Sequence, residues 1–221
     1  MAKVGLRKNI LSENDRIAAE NRDLFEEAGV VVLNIISSPG SGKTTLLEGT
    51  LDRLSDKLRV LVIEGDVSTD RDIERVKAHG AGGVQINTGG GCHLSAKMVA
   101  KVLPELDLDS ADVLFIENVG NLICPSTYDL GEDAKVVLLS TTEGDDKPMK
   151  YPTIFHESSV ALLNKVDLLP HLPYDPERAE REIRVLNADC DVLRVSALTG
   201  DGMDGWIEWI LSRLAEKRGD S

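Results

Sequence analysis

An α/β fold, one domain with a mainly parallel sheet and helices on both faces, is what this sequence predicts. Short apolar runs rich in β-branched residues alternate with helical patterns from residue 30 onward, and that βα rhythm implies a parallel sheet. The polar, glycine-bearing motifs fall just after those runs, at the carboxyl ends of strands where such sheets bind ligands. A chain of 221 residues suffices for one good-sized core and leaves no room for a second large domain.

Taken in order, strands are expected at Val30–Ile36, Val60–Glu64, Gly83–Ile86, Asp112–Glu117, Lys135–Leu139, Val160–Leu163 and Val192–Val195. Helical patterns lie near 44–54, 70–79, 94–103, 176–187 and 203–216. Residues 1–28 form an expected N-terminal helical extension to a domain spanning 29–221. Within it Ser12-Glu13-Asn14-Asp15 resembles a capping box, and Ile17, Leu24 and Phe25 recur at helical spacing. This reads as a helix docked on the domain.

Hydrophobic residues make up 42% of the chain and charged ones 29%, as in a soluble globular protein. With 25 Lys+Arg against 38 Asp+Glu the net charge is −13, which argues against nucleic-acid binding. No stretch approaches the roughly 20 apolar residues of a membrane span, and the first residues carry no signal-peptide apolar segment. Three cysteines do not make a disulfide framework. The expected location is cytoplasmic, with reduced thiols and no membrane partner.

Ser38-Pro39-Gly40-Ser41-Gly42-Lys43-Thr44-Thr45 follows the first apolar run and precedes a helix-forming stretch. Such a loop turns backbone N–H groups toward phosphates, with the amino terminus of the next helix facing the anion. Lys43 then reaches the outer phosphates and the Thr44 hydroxyl ligates magnesium. The full pattern begins with glycine at position 37, where this chain has Ser37. The fold class is therefore a P-loop nucleoside triphosphatase domain.

Asn164-Lys165-Val166-Asp167 follows the strand ending at Leu163. A carboxylate there accepts hydrogen bonds from N1–H and the 2-amino group of guanine, donors that adenine lacks. Asn164 would donate to N7, the Lys165 stem would lie over the base, and Ser196 and Ala197 would add a backbone N–H to the guanine oxygen. These residues point to GTP. Glu117, Asp66 and Asp72 are the carboxylates placed to complete a magnesium site with Thr44. Nothing in the sequence chooses between Asp66 and Asp72. Lys43, Thr44, Glu117 and Asp72 are the candidate catalytic groups.

Gly89-Gly90-Gly91-Cys92-His93 sets two soft ligands after a triple glycine, and Cys124 lies seven residues beyond Glu117. Thiolate and imidazole suit nickel and zinc. Three ligands leave a tetrahedral site one short, so water, a further ligand or a second subunit must finish it. Cys190 reads as structural, and His79, His156 and His171 as ordinary surface or loop residues.

Together the phosphate loop, Gly91-Cys92-His93-Leu94, Glu117-Asn118-Val119-Gly120-Asn121-Leu122-Ile123-Cys124-Pro125 and Asn164-Lys165-Val166-Asp167 resemble the HypB family. Those are nickel-handling GTPases of nickel–iron hydrogenase maturation. The resemblance runs from about residue 8 to the carboxyl terminus. It implies Cys92, His93 and Cys124 as nickel or zinc ligands, and a GTP-dependent homodimer with metal at or near its interface. It further implies other maturation proteins and the hydrogenase large subunit as partners, and lets Lys147 or Lys150 touch nucleotide across the dimer, against a solvated-loop reading of both. The cysteine motif and histidine-rich tract that some members carry at the amino terminus are absent from this sequence.

The spacing from Glu117 to Cys124 suggests that GTP hydrolysis displaces Cys124 and couples nucleotide state to metal affinity. Hydrolysis is expected to be slow without a partner, since no Arg or Gln is evidently placed for it. The rivals are a urease-type metallocentre GTPase, disfavoured because Ser126 rather than His follows Cys124-Pro125, and a GTP-switched scaffold with structural zinc. An ATP-dependent kinase is disfavoured by Asp167.

Overall fold

The computed structural model describes residues 2–66 and 71–219. In chain order the elements are α1 (Ala2–Ala28), β1 (Val31–Ser37), α2 (Lys43–Leu54), β2 (Val60–Asp66), α3 (Arg71–Ala78), β3 (Gly82–Asn87), α4 (Ala96–Val102) and β4 (Val113–Glu117). They continue with β5 (Ala134–Ser140), α5 (Lys147–Lys150), α6 (Pro152–Glu157), β6 (Val160–Asn164), α7 (Pro176–Leu186), β7 (Asp191–Arg194) and α8 (Met203–Arg218). The expected strands agree with these to within two residues at either end.

The seven strands form one sheet in the order β3-β2-β4-β1-β5-β6-β7, and all its pairs are parallel. β1 is central, with Ile35 opposite Glu117 on one side and Val136 on the other. All seven of its residues are buried, because helices cover both faces of the sheet. Successive side chains point to opposite faces. Leu33 and Ile35 meet Leu47 and Leu51 of α2 and Trp206 and Ile210 of α8, whereas Val30 and Val32 meet Phe25 of α1 and Val99 of α4. The Trp206 indole N–H donates to Thr50 Oγ1 at 3.0 Å, so the largest buried side chain leaves no polar atom unpaired.

α1 corrects two local expectations. The helix begins at Ala2, so Ser12 is an interior residue rather than the cap of a helix start. Leu24 is 48% exposed, whereas Ile17, Ala18 and Phe25 are buried. Two buried asparagines add polar anchoring: Asn14 donates to Asp129 O and accepts from Ala96 N, and Asn21 donates to Ala96 O and Leu130 O. The short helices α5 and α6, of four and six residues, were not anticipated because so few residues display no period.

Asn21→Ala is expected to cost roughly 1–3 kcal/mol, because two buried carbonyl groups lose their donor, and Leu24→Ala to stay within about 0.5 kcal/mol. Denaturant unfolding of the two variants checks both.

Candidate functional site

Five loops at the carboxyl end of the sheet bring the motifs together. The phosphate loop joins β1 to α2, the Cys92-His93 loop follows β3, Glu117 ends β4 with Cys124 beyond it, and Asn164 ends β6 next to the loop after β7. In the phosphate loop Gly40 and Gly42 take φ values of +75° and +99°, which side chains rarely adopt. A Cβ on Gly42 would also stand 2.8 Å from Asn164 Nδ2.

Ser37 has no such need for glycine, since Lys165 is the only non-glycine residue at positive φ among the described residues. Its buried hydroxyl donates to Ser38 O at 2.7 Å and accepts from Lys43 Nζ at 3.0 Å, so it holds Lys43 at the loop.

A second cluster, which the sequence did not announce, lies against the same loop. Ser41 Oγ is 2.5 Å from Glu143 Oε1, and Lys147 Nζ lies 3.2 Å from Glu143 Oε2 and 3.3 Å from Ser38 Oγ. Burial pushes the Glu143 carboxyl up, but hydrogen bonds from Ser38, Ser41 and Lys147 outweigh it and hold the group below its usual range. Lys147 is thus poised on the phosphate loop of its own chain, not in a solvated loop. Lys150 is exposed and pairs with Asp146.

Thr44 Oγ1 donates to Glu117 Oε1 at 3.1 Å. Glu117 is buried, and Glu64, also buried, faces it in register across β2 and β4. Asp66 closes β2 and Asp72 lies in the first turn of α3, but their side chains fall outside the described residues.

Asn164, Lys165, Asp167 and Ala197, expected from the sequence to meet a base, line a cavity of about 240 Å³ with Gly42, Thr45, Leu168 and Leu198. Asp167 Oδ1 accepts the Ser196 hydroxyl at 2.6 Å, which orients the carboxylate. Lys165 adopts φ 65°, and its Nζ donates to Gly40 O at 2.8 Å. Beyond the contact to a base expected of it, Asn164 makes a structural tie that the sequence did not announce: Nδ2 donates to Ser41 O, and Oδ1 accepts from Ala197 N. It ties the base loop to the phosphate loop. The larger cavity, about 380 Å³, lies among Leu58, Leu61 and Leu106 near the opposite strand ends, away from every motif.

Cys92, His93 and Cys124 each offer a donor atom, and these lie within 4.8 Å of one another. Cys92 Sγ is 3.5 Å from His93 Nδ1. The neighbouring Cys124 raises the Cys92 thiol above its ordinary pKa, and burial lowers that of His93. A cation is what would stabilise two adjacent thiolates beside that imidazole. Cys190 is buried and far up its own range through burial, at about 12, as a structural cysteine should be. His79 stands between Asp52 and Glu48 at the surface.

The sheet and phosphate loop define a P-loop nucleotide-binding domain. The family described as CobW/HypB/UreG, nucleotide-binding domain, matches residues 31–194. The hydrogenase maturation factor HypB of Azotobacter vinelandii is 54% identical over 205 residues, which cover 93% of this chain and 68% of that protein. The probable hydrogenase maturation factor HypB of Methanocaldococcus jannaschii is 42% identical, with 96% of each chain covered. The crystal structure of HypB from Helicobacter pylori in complex with nickel superposes with a TM-score of 0.87 at 37% identity, over 92% of this chain and 96% of that one. A signal recognition particle receptor, FtsY of Elizabethkingia anophelis, shares the fold alone, at 14% identity and a TM-score of 0.52. This chain belongs to the HypB family of hydrogenase maturation factors.

Gly42→Ala is expected to destabilise the chain by about 1–3 kcal/mol through backbone strain and to weaken nucleotide binding as Asn164 is pushed from Ser41. Unfolding and fluorescent-nucleotide titrations check the pair of effects.

Proposed function

We propose that this chain is a GTP-hydrolysing metallochaperone that binds nickel, and also zinc, and assists nickel insertion into nickel–iron hydrogenase. Supporting this reading is one loop: Glu117 touches Thr44 in the phosphate region, and seven residues later Cys124 joins Cys92 and His93. A change at the γ-phosphate moves the start of a segment that ends in a metal ligand.

GTP would lie with its phosphates in the N–H groups of Ser38–Thr45 and its guanine on Asp167, between Lys165 and the Ser196–Ala197 turn. In hydrolysis a water attacks the γ-phosphorus as the bond to the β–γ bridging oxygen breaks, leaving GDP and phosphate. Lys43 steadies the charge that develops on the outer phosphates. The Thr44 hydroxyl and Glu117 carboxylate, 3.1 Å apart, are hard oxygen donors suited to magnesium, with Asp66 or Asp72 as the further candidate. Magnesium supplies neutralisation of phosphate charge when bound. The reaction is slow until a partner improves the stabilisation of that charge.

The three soft donors leave a coordination position for a second subunit, in keeping with a GTP-bound homodimer working in the cytoplasm with other maturation proteins and the hydrogenase large subunit. Lys147, already on the phosphate loop, is better placed than Lys150 to reach nucleotide. Cys92 is exposed, which favours metal transfer over the rival scaffold with a closed structural zinc site.

Nickel and zinc titrations of the reduced protein with GDP and with a non-hydrolysable GTP analogue test this, with mass followed in the same samples. Affinity is expected to differ about 5- to 150-fold between the two states, and to be lost in Cys92→Ala or Cys124→Ala. Equal affinity in both states overturns the switch. For base specificity, Asp167→Asn should weaken GTP by about 1–3 kcal/mol and improve xanthosine triphosphate, as read by competition binding.

A further inference from the structure

We infer that Asn121 and Tyr128, which flank Cys124 in the sequence, are positioning residues that hold Cys92 and His93 in place for the metal. Asn121 Nδ2 donates to Cys92 O at 3.2 Å, while its own Oδ1 accepts from Ile123 N at 2.9 Å, which fixes the amide's direction. On the other side of Cys124, the Tyr128 ring packs on the His93 imidazole with centroids 3.9 Å apart and planes tilted by 33°. One segment therefore supplies the third donor and grips both residues that carry the other two.

That segment is itself stiff. Cys124 caps a single helical turn, Pro125–Thr127, with Thr127 N and Oγ1 both on Cys124 O, Tyr128 N on Pro125 O, and Ser126 Oγ on Ile123 O. The facing loop is held by a turn of its own, in which Gly91 N bonds Thr88 O, and by Leu94 N on the buried Asn118 Oδ1 at the root of the Cys124 segment. Between the two loops, the ring stack, the Asn121 bond to Cys92 O and the Asn118 bond to Leu94 N set the separation of the three donors. An imidazole pinned before binding loses little rotamer freedom when it ligates, so preorganisation appears as affinity. A movement of the segment also carries the Tyr128 stack and the Asn121 bond with it, and disturbs all three donors together rather than Cys124 alone.

This rests on the proposal that Cys92, His93 and Cys124 bind metal. The test is nickel titration of the reduced, nucleotide-free full chain against a chromophoric chelator, with the thiolate-to-nickel absorption band and X-ray absorption of the complex recorded. Tyr128→Ala is expected to bind nickel about tenfold more weakly or worse and to lose the imidazole scatterer while the thiolate band persists. Tyr128→Phe, which keeps the ring, should restore both. Asn121→Ala and Asn121→Asp, which both remove the donor to Cys92 O, should weaken nickel to a similar degree. GDP affinity should stay unchanged in all four variants, so that loss of fold is recognised. Wild-type affinity and wild-type imidazole ligation in Tyr128→Ala overturn the assignment. Nickel binding that is identical with GDP and a GTP analogue overturns the switch and leaves this assignment standing, and no metal binding by the wild type overturns both.

Discussion

Asn34 sits fully buried in the middle of the central strand, with Ile35 and Ile36 after it and Leu33 before it. A polar side chain there is tolerated only if its hydrogen bonds are made, since a buried donor left without a partner costs about 1–3 kcal/mol. Its amide donates to Glu132 Oε1 at 3.1 Å, and its carbonyl accepts from Asn118 Nδ2 at 3.2 Å. Asn118 then receives Leu94 N, next to His93, and Glu132 receives Leu130 N. The loops after β3 and β4 and the turn before β5 are thereby set against one buried group. Helix α1 joins the same lattice through Asn14 and Asn21, which bond Ala96, Asp129 and Leu130.

The consequence is a rim at the carboxyl ends of the strands in which the phosphate loop and the Cys92-His93-Cys124 cluster share supports. Glu117 precedes Asn118 directly, so the residue that meets Thr44 is a backbone neighbour of the residue that holds the Cys92-His93 loop through Leu94. On the opposite side of the phosphate loop, Asn164 ties Ser41 to Ala197, and Lys165 caps Gly40. A chain of net charge −13 cannot rely on long-range attraction for phosphate. The phosphate loop instead offers oriented N–H groups, and two lysines are held against it by hydroxyls: Lys43 on Ser37 and Lys147 on Ser38.

Glu143 shows how local chemistry is set by neighbours distant in sequence. By itself it is one of 38 acidic residues, in a stretch with no periodic pattern. Folded, it caps its own turn through Ser140 N and lies on Ser41, 102 positions away. Ser37 behaves alike. It departs from the glycine pattern, yet the backbone there needs no left-handed conformation and the hydroxyl serves Lys43.

The sheet's strands, their parallel pairing and the location of every motif at the strand ends were legible from the sequence, because the apolar period and glycine-bearing loops are local signals. So were the phosphate loop, the Asn164-Lys165-Val166-Asp167 tetrapeptide and the clustering candidates Cys92, His93 and Cys124, each a short run or a fixed spacing. The start of α1 and the exposure of Leu24 were not, because a helix's first turn and buried face depend on what it packs against. Nor were the roles of Asn34, Asn118, Glu143 and Ser37, whose partners are brought to them only by the crossovers of the sheet. Local spacing determined which chemistries the chain carries. Tertiary structure decided which groups restrain one another, because hydrogen bonds between residues about a hundred positions apart exist only once the strands have their order.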